Sequence, residues 1–254
     1  MITDPLFWLA AVPAVILVGL AKGGFAGLVM PGMALLALVV SPLRAAAIML
    51  PVLLVQDVVS LWAYRRHTDR RALAILLPGA AIGIALAAWG ARSVPDDAVR
   101  LLVGIVALAF VANHVWSLAR KAAEGAQPGK VPAGLFWGAL SGFASFVSHS
   151  GGPPFQVWIL PQRMDKERLA ATSTWFFAVV NLAKVGPYAW LGQLDAANLA
   201  TSAALLPLAV VAALAGVWAV RQIDGALFYR LIYALMTAVG LRLVWSGLAG
   251  LGWM

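Results

Sequence analysis

Residues able to hold an anion interrupt otherwise apolar sequence at two places, Lys22-Gly23-Gly24-Phe25-Ala26-Gly27 and Ser148-His149-Ser150-Gly151-Gly152-Pro153-Pro154. Glycine lets a backbone approach where a Cβ would block it, and successive free N–H groups at a helix N-terminus attract anions. Gly23-Gly24 opens one apolar element, and Gly151-Gly152 with Pro153-Pro154 opens another. Lys22 adds a positive charge; Ser148, His149 and Ser150 add hydroxyl and imidazole groups suited to oxygens. The implied chemistry is reversible binding of a small oxyanion. The competing reading is helix packing, since glycines are frequent where membrane helices touch. The polar groups at both breaks favour a site.

Covalent catalysis fits less well. Adjacent Ser and His rarely reach each other as nucleophile and base, and neither a nucleophile elbow nor a His-Glu-x-x-His motif is present. No pattern calls for a cofactor or a metal, and a cysteine count of 0 excludes thiolate ligands and disulfides. Further polar residues lie inside apolar sequence. Between Leu169 and Tyr188, Thr174, Asn181 and Lys184 share a broad helical face with Thr172 and Ser173 beside it; between Leu43 and Tyr64 stand Gln56, Asp57 and Ser60. Ionisable groups at such depth line a pathway or pair with one another. An Asp57–Lys184 pair therefore reads either as part of transport coupling or as a structural ion pair.

The elements that must position these residues are apolar. With 63% hydrophobic and 11% charged residues, the chain reads as an integral membrane protein whose partner is the lipid bilayer. Its net charge of +8 is spread between apolar segments rather than gathered in a patch, so nucleic acid is not implied. The N-terminal Met1-Ile2-Thr3-Asp4-Pro5 lacks the basic start and cleavage site of a signal peptide. Ten apolar elements are predicted, over 5–21, 25–40, 43–64, 72–91, 98–118, 131–147, 155–160, 169–188, 196–220 and 226–248. Elements three, four, five, eight, nine and ten are long enough to cross a ~30 Å hydrocarbon core. Element seven is too short, and one, two and six are borderline. Elements one–two and six–seven therefore form either re-entrant hairpins or short tilted spans.

Sidedness follows from Lys and Arg. Loops after odd-numbered elements carry Lys22, then Arg65, Arg66, Arg70 and Arg71, then Arg120, Lys121 and Lys130, then Arg163, Lys166 and Arg168, then Arg221 and Arg230. Loops after even-numbered elements carry Arg44, Arg92 and Arg100. The positive-inside rule makes the odd loops cytoplasmic and both termini periplasmic. Trp62, Tyr64, Trp89, Trp116, Trp190, Trp218 and Trp245, at segment ends, read as interfacial belts.

The two halves also correspond. A shift of 124 lays Arg44-Ala45-Ala46-Ala47 over Arg168-Leu169-Ala170-Ala171, Asp57 over Asn181 and Tyr64 over Tyr188; a further slip of five lays Pro78 over Pro207 and Trp89 over Trp218. Five elements per half is an odd number, so the second copy sits upside down. The predicted fold is all-α and polytopic: two inverted repeats, 1–121 and 131–254, joined by a cytoplasmic linker at 122–130, with broken or re-entrant helices at elements 1–2 and 6–7. In such proteins the site lies at the repeat interface near the midplane. Gly79xxxGly83 and Gly134xxxGly138xxxGly142 predict close helix contacts within the chain.

The glycine-rich opening of each half, the run Ser148-His149-Ser150-Gly151-Gly152-Pro153-Pro154-Phe155-Gln156, Leu160-Pro161-Gln162-Arg163 and Gly186-Pro187-Tyr188 resemble the TauE/SafE family of sulfite and organosulfonate exporters. The resemblance covers nearly the whole chain. It implies export of sulfite, sulfoacetate or a related sulfur anion across the bacterial inner membrane, without catalysis. The family's small-residue and Gly-Thr-Ser patterns fall on Gly23, Gly24, Gly151, Gly152, Thr172 and Ser173; Ala171 replaces the glycine, and Ala46-Ala47-Ile48-Met49 lacks the expected hydroxyls. The substrate-binding set is then Lys22, Gly23, Gly24, Phe25, Ser148, His149, Ser150, Gly151, Gly152, Gln156, Thr172, Ser173 and Asn181, with Asp57 and Lys184 as a coupling or ion pair. The expected mechanism is alternating access, with an anion channel or an importer of another oxyanion as the alternative; the identity of the anion, proton coupling through Asp57 or His149, and a homodimer are left open.

Overall fold

The computed structural model describes residues 1–22, 28–37, 39–40, 42–64, 67–90, 95–119 and 128–253. Their regular structure is entirely helical, as a chain of apolar runs without alternating polarity requires in lipid, where a helix satisfies its own backbone. The helices are α1 (Pro5–Ala21), α2 (Val29–Ala37), α3 (Pro42–Tyr64), α4 (Arg70–Gly90), α5 (Asp96–Ala119), α6 (Val131–Ser148), α7 (Gly152–Ile159), α8 (Lys166–Trp190), α9 (Ala196–Gln222) and α10 (Gly225–Gly250). Among the described residues, five helices, in α3, α4, α8, α9 and α10, are long and apolar enough to cross a membrane. The expected span over 98–118 lies within the 24-residue helix α5. The chain is a polytopic helical membrane protein.

Packing divides it into two compact units that cut across the sequential halves. The first is Met1–Asp69 with Lys166–Phe228, and the second is Arg70–Asp165 with Tyr229–Met254.

In the first unit, Asp4 caps α1 by accepting from Leu6 N–H at 2.9 Å, with Pro5 next where its missing donor costs nothing. Phe7, Ala11, Ala14, Val15 and Val18 recur at three- and four-residue spacing and are buried. The α1 surface meets α9 at glycines: a Cβ on Gly216 would stand 2.7 Å from Gly19 O and 2.9 Å from Leu20 Cα. α2 doubles back on α1, since a Cβ on Gly32 would meet Val18 Cγ2 at 2.7 Å and Ala14 O at 2.9 Å. Its nine residues extend about 14 Å, too little to cross the membrane. Of the range 25–40 expected for this element, the described helix is Val29–Ala37, and residues 25–27 and 38 lie outside the described residues.

In the second unit, α4 and α6 pack through the two predicted glycine stripes. Gly79 and Gly83 face Leu135, Ala139 and Phe143, while Gly138 and Gly142 face Leu76 and Ala80. α10 meets α5 the same way, Gly104 against Gly240, Leu243 and Val244, and Gly247 against Leu101 and Asp97. α7 folds back along α6: Trp158 Nε1 donates to Lys130 O at 3.1 Å, and its ring fills the space beside Gly134. The first element of one half is thus partnered by the fourth of the other in each unit, α1 by α9 and α4 by α6.

Candidate functional site

The break after α1 presents a buried charge. Lys22 caps the helix, its backbone N–H donating to Gly19 O at 3.0 Å, where the carbonyl-rich end of a helix favours a cation. Its ammonium, on a residue 6% exposed, donates to Asp57 Oδ1 at 2.5 Å. Asp57, 2% exposed and in the second half of α3, also accepts at Oδ2 from Asn181 Nδ2 at 2.7 Å. The carboxylate therefore bridges two donors, one from the end of α1 and one from α8. Thr174 Oγ1 donates to Lys22 O at 3.4 Å, a long bond. Thr174, Asn181 and Lys184 are spaced by seven and three residues, which places them on one face of α8. Lys184, wholly buried, stands one turn beyond Asn181 and within electrostatic range of both Asp57 and Lys22.

Neighbouring contacts hold this arrangement still. Gln56 Nε2 donates to Val15 O at 3.2 Å, tying α3 to α1, and Ser60 Oγ donates to Gln56 O at 2.9 Å within α3. Among the described buried residues of this unit, two lysines accompany one aspartate. Charges taken out of water need partners, and here the Asp57 carboxylate and the Lys22 ammonium supply each other's.

The second break has a different construction. α6 ends at Ser148, and His149 takes the left-handed conformation at φ 52°, its N–H reaching Ser145 O at 3.2 Å while Ser150 N–H reaches Ala144 O at 3.1 Å. This is the doubled carbonyl capping that closes many helices, here with a histidine where glycine is usual. Gly151 is needed for space rather than for its dihedral angles, which are ordinary at φ −68°. A Cβ there would meet Ser141 O at 2.6 Å and Ser145 Cβ at 2.9 Å, and Ser141 Oγ donates to Gly151 O at 2.7 Å. Gly152, Pro153, Pro154, Phe155 and Gln156 are all buried, and Gln156 Oε1 lacks a hydrogen-bond partner.

Of the sequence-predicted residues, Lys22, Asp57, Asn181 and Lys184 come together in the first unit. His149, Ser150, Gly151, Gly152 and Gln156 gather at the second break. Gly23, Gly24 and Phe25 lie outside the described residues, as does the side chain of Ser148. Thr172 and Ser173 turn to the backbone: Thr172 Oγ1 donates to Arg168 O at 2.7 Å and accepts from Asp69 N–H at 3.0 Å, and Ser173 Oγ donates to Leu169 O at 2.8 Å. Arg168 Nη2 donates to Asp69 Oδ2 at 2.7 Å, so Thr172 belongs to the anchorage of the loop after α3. Thr174 and Ser141 were missing from the predicted set; the seven-residue spacing of Thr174 from Asn181 was the available signal for the first.

Compared with known families, residues 7–243 match the family described as sulfite exporter TauE/SafE. The chain belongs to that family. Its members are membrane exporters, in keeping with the polytopic fold and the buried polar cluster. No curated protein and no solved structure matches the chain.

Proposed function

We propose that the protein exports a small sulfur-containing anion, sulfite, sulfoacetate or a related organosulfonate, across the bacterial inner membrane by alternating access. The observation that carries this reading is Lys22, a buried cation at a helix break, held by a carboxylate that also engages Asn181 and accompanied by a second buried lysine. Membership of an exporter family supplies the direction and the substrate class. A cytoplasm-negative potential of ~100 mV moves each negative charge outward with about 2.3 kcal/mol, so export needs no coupled ion. The positive-inside bias of the loops supports periplasmic termini.

The test is uptake of labelled sulfite or sulfoacetate into proteoliposomes with an imposed potential. Saturable transport with counterflow supports the reading, and unsaturable ohmic current makes the protein a channel. Lys22→Gln is expected to lower transport by at least 100-fold while leaving membrane insertion intact; wild-type rates in that variant overturn the assignment of Lys22.

A further inference from the structure

The geometry points to Asp57 as a tethered competitor of the transported anion: its carboxylate occupies the donors the substrate takes, and it passes to Lys184 when the substrate arrives. This rests on the proposed export of a sulfur anion. Asp57 Oδ1 accepts from Lys22 at 2.5 Å and Oδ2 from Asn181 at 2.7 Å. Two oxygens on one central atom, bridging an ammonium and an amide, is also what a sulfite or sulfonate group offers. An incoming oxyanion that uses Lys22 and Asn181 must displace this internal one.

The displaced carboxylate then needs a cation, because a bare charge in a buried site is strongly disfavoured. Lys184 is placed to supply it. It lies one turn from Asn181 on the same face of α8, wholly buried, within electrostatic range of Asp57. With the substrate present, it takes Lys22 and Asn181 while Asp57 leans on Lys184; with it absent, Asp57 returns to Lys22 and Asn181. Return of the carboxylate expels the product, so one residue lowers affinity and speeds release.

The competition has a definite sign. A ligand whose binding-competent state is only partly populated binds more weakly by that fraction, and removing the competitor restores the intrinsic affinity. Asp57→Asn keeps the side chain's shape and removes its charge. Sulfite and sulfoacetate should bind that variant at least 10-fold more tightly than wild type, measured by calorimetry on detergent-purified protein of unchanged helix content. KM and kcat in proteoliposomes should fall together. Lys184→Gln alone should weaken binding at least 10-fold, and Asp57→Asn/Lys184→Gln should recover most of it. Formate should compete with sulfite in Asp57→Ala and not in wild type.

A readout on the unmodified protein is the infrared carboxylate stretch, since Asp57 is the carboxylate among the described buried residues. Sulfite addition should shift it. Unchanged or weaker binding in Asp57→Asn, or no shift of that band in wild type that binds sulfite, overturns the competitor role and leaves the export reading standing. Absence of binding and transport of every sulfur anion by wild type overturns the export reading and this inference with it.

Discussion

Asn181 donates its side-chain amide to Asp57 across 124 residues of chain, and 124 is the offset that lays the second half of the sequence over the first. Two positions related by a two-fold operation can touch each other only near its axis. The contact between Asp57 and Asn181 joins the two positions that the 124-residue shift lays over each other. It also explains the unequal residue types: two aspartates there would repel, whereas an aspartate and an asparagine form a charge-assisted bond.

Breaking the Lys22–Asp57 pair from one side should be costly for stability. Lys22→Met takes the ammonium from Asp57, leaves its carboxylate to Asn181 and Lys184, and is expected to destabilise the protein by about 1.5–3 kcal/mol, the worth of a hydrogen bond to a charged group. Lys22→Met/Asp57→Asn should recover most of that loss and still fail to transport sulfite. Denaturant or thermal unfolding in detergent, run beside transport assays, separates the two effects.

Gly151→Val should insert into the membrane and abolish transport. Its Cβ would stand 2.6 Å from Ser141 O, which is backbone and cannot swing away. The second break must then open, at a cost of about 1–3 kcal/mol by analogy with overpacked cores. Gly151→Ala should show a smaller loss of both stability and transport rate.

Two helical glycines should respond unequally to alanine. Gly83 is pressed against the backbone of Ala139, so Gly83→Ala pushes α4 from α6 and lowers the melting temperature. Gly186, inside α8, has open space for a Cβ apart from the following Pro187, whose ring crowds a Cβ in helical backbone, so Gly186→Ala should change the melting temperature less than Gly83→Ala does. A pair of melting curves checks both.

Sidedness is directly measurable because the chain has no cysteine of its own. A cysteine replacing Gln193, in the loop between α8 and α9, should react with an impermeant maleimide added outside intact cells. One replacing His67, in the arginine-rich loop after α3, should react only after the cells are opened. The reverse pattern contradicts periplasmic termini.

Most of the fold was legible because hydropathy and the helical period act locally. α1 has the expected bounds Pro5–Ala21, and the other long helices differ from expectation by a few residues at their ends, where caps rather than hydrophobicity decide. The belt aromatics divide: Trp62, Trp89, Trp116, Trp190, Trp218 and Trp245 are exposed, but Tyr64 is buried at 2% and takes no part in a lipid-facing belt. A segment end marks depth along a helix and not which side of it faces lipid.

The site was legible in its ingredients and less so in its pairing. Asp57, Lys184 and Asn181 stood out as polar groups in apolar sequence, and Lys22 as a charge at a break. Which lysine holds Asp57 depends on where α1 ends against α9, a matter of Gly19 and Gly216 that one-dimensional patterning does not encode. The strain at the second break likewise falls on His149, while Gly151 and Gly152 have ordinary backbone angles or tight surroundings. Thr172 shows the converse, a hydroxyl on the polar helix whose bonds run to a loop.

The partnering of α1 with α9 and of α6 with α4 bears on biosynthesis. α1 leaves the ribosome long before the helix it packs against, so its glycine-marked surface must wait in lipid or against a temporary neighbour until the C-terminal half is made. Contacts so distant in sequence form slowly and leave the early product open to misassembly. A chain interrupted after α5 holds α4 and α1 without their mates, which makes the unfinished protein a substrate for membrane quality control rather than a half-sized transporter.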